Sequence, residues 1–473
     1  MNNTKTTKRA LLSSVVAMLV CITMLIGTTF AWFTDSASTA VNKIQAGTLE
    51  VQLLDEQGNS LEGQTLAWQK AAGHESDEVL WEPGCTYQLQ PIVIKNNGNL
   101  ALKYKIVITG IQGDAELNEA IEWTITNTSA TTALDEDHPL AAGASDTLTI
   151  SGHMKESAGN EYQDRSIDGI GITVVATQDT VEYDSNGNTY DERAEYPVLA
   201  SSVSDFRDAL SRGNSTIILA SDVTVDDGIQ MSVTNDTAIN FNGNTLTGAV
   251  ESGSISSSDG PTNLVLSDPN NSGEYSIDGK LVQHTGGGYT QLSAITVWKP
   301  TVTIESGKYT HDNAVILCQL QTQDPNAVGV VVNGGTFDGK GAASVIANVF
   351  GNVIINNGTF NAYDDGDSSG ECVYVSSGNS RVPSVTTING GTFNAVDRIF
   401  YVKVNTNYTQ KIVVNGGTFN VAEGGSLIQV SSGNASDYLT ITGGTFNVDP
   451  SAYVDTANYA ITHSDSTWTV TAK

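Results

Sequence analysis

The motif Gly390-Gly-Thr-Phe393 decides the fold of the C-terminal half, because close copies of it recur along that half. A run of β-branched residues precedes many of the copies, as Ile412-Val-Val414 does. The other copies are Ser306-Gly-Lys-Tyr309, Gly334-Gly-Thr-Phe337, Asn357-Gly-Thr-Phe360, Gly416-Gly-Thr-Phe419 and Gly443-Gly-Thr-Phe446. Their aromatic residues follow one another at spacings of 28, 23, 33, 26 and 27 residues. A strand–turn–strand unit repeated at such a period predicts a solenoid of stacked coils.

Stacked coils place equivalent side chains in columns about 4.8 Å apart. We expect the repeated aromatic residues to form one interior column, and the glycines before them to supply a corner with positive φ. This column consists of Tyr309, Phe337, Phe360, Phe393, Phe419 and Phe446. The pattern resembles the right-handed parallel β-helices of the pectate-lyase-like class. It predicts such a β-helix over residues 199–473, with about ten coils.

The first coil of a solenoid needs a cap. Ser204–Gly213 is typical of one short amphipathic helix, with Ser204 as its N-cap and Gly213 at its end. Phe206, Ala209 and Leu210 share one face of this helix. The sequence therefore predicts a helical cap at the N-terminal end of the β-helix.

Composition excludes one class of partner. The chain has 473 residues and a formal net charge of −30, with 22 Lys and Arg against 52 Asp and Glu. Nucleic-acid binding requires cations that neutralise phosphates, so we expect no nucleic-acid partner. Beyond Cys21 the chain has only Cys85, Cys318 and Cys372, which predicts no disulfide framework. Cys318 and Cys372 fall two coils apart, beyond disulfide reach, and are expected to be small interior residues.

The N-terminus has the pattern of an export signal. Lys5, Lys8 and Arg9 precede the apolar run Ala10–Ile26, and small residues lead up to Ala31. We expect cleavage between Ala31 and Trp32, which removes residues 1–31 and leaves no membrane segment. The alternative is an uncleaved anchor, for which the run is only just long enough.

Residues 32–178 carry short segments that alternate or are apolar, bounded by turn residues. They are Thr48–Leu54, Tyr87–Lys95, Ala101–Ile111, Ile121–Thr126, Asp146–Met154 and Ile170–Thr177. Asn97-Gly98 favours a hairpin between two of them, and Asp114–Ala120 is the one helix-like stretch. Strands at this spacing predict a β-sandwich.

Four blocks in this region resemble the camelysin/TasA family of exported proteins from Gram-positive bacteria. They are Leu25–Asp35, Ile44–Gln52, Trp81–Gly84 and Ile92–Lys103. The resemblance spans about residues 1–198. It implies a jelly-roll form of the sandwich, processing by a SipW-type signal peptidase, and a place in a biofilm matrix or on the cell surface.

The mature N-terminal segment begins with Trp32, Phe33, Thr34 and Asp35. It would be a frayed end, a strand of its own sandwich, or a strand lent to a neighbouring molecule. An open sheet edge can be completed by an extended peptide. The resemblance implies the lent strand, with a second copy or a matrix fibre protein as partner.

Acidic segments raise the question of calcium. The linker 179–198 contains Asp184-Ser-Asn-Gly-Asn-Thr-Tyr-Asp191 but lacks the EF-hand spacing, which favours a solvated linker. The densest cluster is Asp364, Asp365, Asp367 and Glu371 in the longest repeat. Such carboxylates could bind Ca²⁺ or supply the pair of a glycosidase, although a solvated loop is the commoner reading.

No catalytic signature is present in the sequence. The six histidines do not include a pair at HExxH spacing, and no GxSxG motif leads from a strand into a helix. We therefore expect that the protein is not an enzyme and that it has no catalytic residues, no resident metal and no required cofactor. The sequence favours a secreted structural or adhesion protein whose β-helix contacts glycans or matrix chains. The alternatives are a polysaccharide lyase or glycosidase on the β-helix and, more weakly, a camelysin-like metallopeptidase.

Overall fold

The structure is a computed structural model that describes residues 49–473 with gaps. The gaps are 62–63, 65, 75–78, 110–111, 114, 128–130, 135, 166, 169–170, 180–194, 213–214, 226–230, 249, 253–262, 269–273, 278–281, 284–288, 291–292, 300, 312–313, 323, 340–343, 364–369 and 377–381. The fold is all-β, as predicted: an antiparallel β-sandwich is followed by a parallel β-helix.

The sandwich contains eleven of the described strands and one short helix, α1 (Ala115–Glu119). The strands are β1 (Val51–Leu54), β2 (Thr86–Gln88), β3 (Ile92–Asn96), β4 (Leu102–Thr109), β5 (Gln112–Gly113), β6 (Ile121–Thr126), β7 (Thr131–Ala133), β8 (His138–Leu140), β9 (Ser145–Met154), β10 (Ile167–Asp168) and β11 (Gly171–Gln178). A 3-10 turn covers Asn160–Tyr162. The predicted strands and the predicted helix are confirmed, except that Tyr87–Lys95 is divided between β2 and β3.

Two antiparallel sheets enclose the sandwich core. One has the order β1-β3-β9-β6-β7 with β2 on β9, and the other has the order β11-β4-β8. β5 and β10 form a separate pair. Ile94 and Leu148 from the first sheet pack with Leu102 and Tyr104 from the second, all of them buried. Apolar side chains at alternate positions of facing sheets account for this arrangement.

The predicted hairpin at Asn97-Gly98 is wrong. β3 pairs with β1 and β9, whereas β4 pairs with β11 and β8, so the chain crosses from one sheet to the other at this turn. The Asn96 amide is buried and donates to the carbonyl oxygens of Leu100 at 2.8 Å and Leu140 at 3.1 Å. These bonds satisfy backbone carbonyl groups at the crossing, where no hairpin ladder is present to pair them.

Tyr196 connects the sandwich to the segment that enters the β-helix. The ammonium groups of Lys103 and Lys105 lie 5.4 and 4.9 Å from the centre of its ring. Both ammonium groups also pair with the Asp137 carboxylate at 3.2 Å. Burial raises the pKa of Asp137, but hydrogen bonds from the two lysines outweigh that effect, and the pKa is lowered.

The β-helix begins with α2 (Val203–Arg212) and continues through strands β12 to β41. The strands before the aromatic column are β12 (Val198–Ala200), β13 (Ser215–Leu219), β14 (Val223–Thr224), β15 (Met231–Val233), β16 (Thr237–Asn240), β17 (Leu246–Thr247), β18 (Val250–Ser252), β19 (Leu264–Ser267), β20 (Glu274–Ile277), β21 (Val282–Gln283), β22 (Tyr289–Thr290), β23 (Ser293–Val297) and β24 (Val302–Ile304). Those along the column are β25 (Lys308–His311), β26 (Ala314–Gln319), β27 (Val328–Val332), β28 (Thr336–Gly339), β29 (Ile346–Ile355), β30 (Thr359–Ala362), β31 (Glu371–Ser376), β32 (Ser384–Ile388), β33 (Thr392–Ala395), β34 (Arg398–Lys403), β35 (Gln410–Val414), β36 (Thr418–Val421), β37 (Ser426–Val430), β38 (Leu439–Ile441) and β39 (Gly444–Phe446). The chain ends with β40 (Tyr459–Ser464) and β41 (Thr467–Ala472), and 3-10 turns cover Ala435–Asp437 and Ser451–Tyr453.

Each coil contributes strands to three parallel faces. The first face is β12-β13-β16-β19-β24-β27-β29-β32-β35-β38, and the third is β15-β18-β23-β26-β29-β31-β34-β37, with the long strand β29 bending from one to the other. The second face is β14-β17-β20-β25-β28-β30-β33-β36-β39 and carries the repeated motif. The first face holds ten strands, in agreement with the predicted number of coils.

The predicted aromatic column is confirmed. Its six rings are buried, and five successive centroid distances are 5.0, 4.9, 4.6, 4.9 and 4.8 Å from Tyr309 to Phe446, with interplanar angles of 10° or less. Gly391 has φ +99°, and a Cβ on Gly390 would lie 2.5 Å from the Asn356 carbonyl oxygen of the preceding coil. The glycine pair is therefore required both for the corner and for the close approach of adjacent coils.

The helical cap is confirmed, but its predicted N-cap is wrong. Helix α2 begins at Val203, and the Ser202 hydroxyl accepts the Asp205 backbone N–H at 3.1 Å, while the Asp205 carboxylate accepts the Ser201 N–H. These bonds place the N-cap at Ser202, two residues before the predicted Ser204. Phe206, Ala209 and Leu210 are buried, as their spacing predicts.

The cysteines lie where the repeat predicts. Cys318 is in register with Asn348 on the next coil, which is in register with Val375 on the strand that holds Cys372. Both thiols are free and fully buried, and burial raises the pKa of Cys318 to about 12 and also raises that of Cys372. They are interior residues rather than reactive groups.

Candidate functional site

The structure describes only part of the predicted site residues. Ala31, Trp32, Phe33, Thr34 and Asp35 lie outside the described residues, and so do Asp364, Asp365 and Asp367. Glu371 and the aromatic column are described. The sites that can be built from contacts are therefore on the second and third faces and along the open edges of the sheets.

The second face presents a polar pair on five successive coils, because Thr precedes each inward Phe and Asn or Asp follows it. The Thr column is Thr336, Thr359, Thr392, Thr418 and Thr445, and the parallel column is Asp338, Asn361, Asn394, Asn420 and Asn447. Side chains of a strand alternate between its two sides, so both columns point outward. We call this surface the Thr-Asn face.

Hydrogen bonds hold the amide column in one orientation. Asn361 Nδ2 donates to the Asp338 carboxylate at 2.7 Å, Asn394 donates to Asn361 at 2.8 Å, and Asn420 donates to Asn394 at 2.9 Å. An amide group has two N–H donors and a carbonyl oxygen with two lone pairs. The ladder uses one donor and one lone pair of each interior amide, so Asn361 and Asn394 each keep hydrogen-bonding capacity.

A groove of about 300 Å³ runs along the end of this face. It is lined by Asn361, Ala362, Tyr363, Asn394, Ala395, Val396, Asn420, Val421 and Ala422. Tyr363 is 47% exposed and Val396 is 44% exposed, which makes them two of the few large apolar side chains on the described surface. The groove thus combines one aromatic ring and an apolar floor with a row of fixed amides.

A polar cluster lies just beyond the groove, where the third face begins. Glu371 is only 7% exposed and accepts a hydrogen bond from the Ser344 hydroxyl at 2.8 Å. It is in register with Arg398 on the next coil. Arg398 is 8% exposed, pairs with Asp397 at 2.5 Å, and donates to the Gln429 side chain.

The surroundings of Glu371 disfavour the ionised form of its carboxyl group. Burial raises its pKa, while the Ser344 hydrogen bond and the positive charge of Arg398 offset part of that rise. The guanidinium of Arg398 also lies 5.2 Å from the centre of the Tyr401 ring, and its Nε has no hydrogen-bond partner among the described residues. Glu371 is thus a buried carboxylate with two charged neighbours, because the negative charge of Asp397 also raises its pKa. It is the described member of the predicted acidic cluster.

The shift at Glu371 predicts a pH effect on stability. A carboxyl whose pKa is raised in the folded protein contributes to stability at pH values below its ordinary pKa, which is 4.5 here. That contribution is lost as the pH rises through the raised pKa. The variant Glu371→Gln keeps an acceptor for Ser344 but cannot ionise. We expect its free energy of unfolding, compared with that of the native chain, to increase as the pH rises from ~4 to ~8. Urea unfolding at each pH measures this, with the exposed Glu423→Gln as the matched control. A pH-independent difference for Glu371→Gln would contradict it.

The sandwich offers a different kind of site, an open sheet edge. β11 pairs with β4 on one side, and no strand of the described part pairs with its other side. Asp179 N donates to Ala101 O, so the alternation of antiparallel bonds turns the N–H groups of Val174 and Ala176 away from β4. At eight residues β11 is the longest open edge described in the sandwich.

The described residues do not contain an identifiable metal site. Within them, no three His, Cys, Asp or Glu side chains lie close enough together to hold a metal ion. The predicted calcium ligands Asp364, Asp365 and Asp367 lie outside them, and Glu371 contacts Ser344 and Arg398. Calcium binding by this loop therefore stays a hypothesis.

Sequence reasoning missed the groove, the Arg398 cluster and the β11 edge. Tyr363 and Val396 follow the motif at a corner, and only the stacking of coils shows that they share a groove. The Asn two residues after each Thr of the motif was a usable signal, because any repeated polar residue at an outward position must form a column.

Comparison with known proteins adds no assignment. No family model matches the chain, and no curated protein matches it significantly. In the part of the chain that the structure describes, no helix is both long enough and apolar enough to span a membrane. Fold and site together define the class: an all-β protein with an antiparallel sandwich and a parallel β-helix that displays repeated polar columns.

Proposed function

We propose that this chain is an exported structural and adhesion protein of a Gram-positive surface or matrix, related to the camelysin/TasA family through its sandwich. A SipW-type peptidase would release it between Ala31 and Trp32. The sandwich would join a second copy or a matrix fibre protein, and the β-helix would contact glycans. The observation that carries the proposal is repetition, because the Thr-Asn face offers the same weak contacts on each coil rather than one pocket for one molecule.

Glycans are the ligand class that this surface suits. Their hydroxyl groups both donate and accept hydrogen bonds, as the ladder amides and the Thr hydroxyls do. The coil spacing of about 4.8 Å is close to the length of one sugar ring in an extended chain, so a polysaccharide parallel to the axis would repeat its contacts. The exposed Tyr363 ring supplies an apolar surface on which a sugar ring can stack.

The groove yields a direct test. We expect the chain to bind insoluble β-linked polysaccharides, with cellulose, chitin and peptidoglycan as probes, and Tyr363→Ala to weaken binding roughly tenfold through loss of the stacking surface. Depletion assays over a range of polysaccharide concentrations measure the affinity. Tyr408→Ala, a partly exposed tyrosine outside the groove, is the control. Equal binding by the two variants would contradict a groove site.

A carbohydrate-active enzyme is the second candidate, and the Glu371–Arg398 cluster favours it. A buried carboxyl with a raised pKa beside a groove is the form that a general acid takes in glycosidases. Release of reducing ends from the same polysaccharides separates the two functions. An enzyme should lose nearly all turnover when Asp364, Asp365 and Asp367 are changed to alanine, whereas an adhesion protein shows no turnover and keeps its binding.

A further inference from the structure

The C-terminal end of the β-helix finishes in a strand whose outer edge is open. β41 pairs antiparallel with β39, and β40 pairs antiparallel with β41 and ends the sheet. No described strand pairs with the outer side of β40. At the other end of the β-helix, by contrast, α2 covers the first coil with Phe206, Ala209 and Leu210.

The register of the hairpin identifies the free backbone groups. Lys473 N donates to Asn458 O, so the bonded pairs of this antiparallel ladder fall at the even-numbered residues of β40. Ile461 and His463 therefore direct their N–H and C=O groups to the outer side. No described residue bonds to these groups.

β40 lacks the features that keep sheet edges apart. Soluble proteins protect an edge with lysines, prolines, bulges or very short strands. Tyr459–Ser464 has six residues and an unbroken register, and it contains no Lys, Arg, Asp, Glu or Pro. The strand therefore adds no charge repulsion of its own, although the chain as a whole has a net charge of −30.

We infer that the outer edge of β40 pairs with β40 of a second copy, antiparallel and about a two-fold axis. Pairing Ile461 with His463 of the other copy uses both outward N–H groups and both outward carbonyls of each strand. It places Thr462 opposite Thr462 at the axis and sets no like charges against each other. Two second faces then continue as one sheet through the dimer.

This contact is independent of the proposed N-terminal assembly. A six-residue edge buries less area than a stable dimer interface requires, so the dimer is weak when isolated. Chains already linked into a fibre would bring many such edges together, and the contact would then crosslink neighbouring fibres.

Sedimentation velocity over roughly 1–200 μM tests the inference, on the full chain and on a variant lacking residues 1–46. We expect a concentration-dependent dimer from the variant lacking residues 1–46, which has no donor strand and therefore forms no fibres. Thr462→Lys, which sets two ammonium groups face to face at the axis, should weaken it by at least about tenfold. His463→Pro, which removes an outward N–H, should weaken it as well. Thr471→Lys, exposed on the same side of the hairpin one strand inward, should not.

Two outcomes would overturn the inference. One is a chain without residues 1–46 that stays monomeric throughout the range. The other is a Thr462→Lys variant that dimerises as well as Thr471→Lys. Loss of fibres with persistence of this dimer would refute only the N-terminal assembly, so the two proposals fail separately.

Discussion

Replacing Phe393 with alanine is expected to lower the free energy of unfolding of the β-helix by about 3–5 kcal/mol. The ring is fully buried and lies between those of Phe360 at 4.6 Å and Phe419 at 4.9 Å. Removing it opens a cavity that its neighbours cannot fill, because each is held by its own coil and by the ring on its other side. Urea unfolding followed by far-ultraviolet circular dichroism measures the change.

Tyr363→Ala is the matched control for that substitution. It also removes one aromatic ring close to a strand of the second face, but the Tyr363 ring is 47% exposed and stands outside the column. We expect it to change the free energy of unfolding by less than about 1 kcal/mol. Similar losses for both variants would mean that the column does not hold the coils together.

The aromatic column could be predicted from the sequence because a solenoid repeats one environment. A residue that recurs at the same place in every coil occupies the same position relative to the axis, so the interior place of Phe337 and its equivalents follows from spacing alone. The same reasoning placed Cys318 and Cys372 in the interior two coils apart. The same reasoning also predicts the outward Asn column, once the residues that follow the motif are compared across the repeats.

Other features depend on contacts between segments that are distant in sequence. Asn97-Gly98 fits a hairpin locally, but the chain there passes between two sheets, since β3 pairs with β9 and β4 pairs with β11. The groove needs three coils to be aligned, and Tyr363 and Val396 belong to two adjacent coils of the three. Periodicity gives the position of a residue within a coil, but it does not show which edges remain unpaired.

A chain that begins at Trp32 is expected to form fibres, whereas one that begins at Gly47 stays unpolymerised. The segment that distinguishes them, Trp32–Ala46, is the proposed donor strand. On the described surface of the sandwich, β11 offers the longest unpaired row of backbone groups, and an extended peptide from a second copy can complete it. Because donor and acceptor are different segments of the chain, the contact is heterologous, and repeating it from copy to copy gives a fibre. Light scattering and negative-stain microscopy measure the difference.

The acceptor edge can be blocked without touching the donor. Ala176→Pro removes an N–H that points away from β4, so the β4–β11 ladder keeps its bonds while the outer edge loses a donor in its middle. We expect this variant to stop fibre growth even with Trp32–Ala46 intact, and an excess of the peptide 32–46 to do the same to the native chain. Thr462→Lys should leave fibre growth unchanged, since it affects only the edge of β40. Fibres from Ala176→Pro would show that β11 is not the acceptor, and fibres from the chain that begins at Gly47 would remove the lent strand from the mechanism.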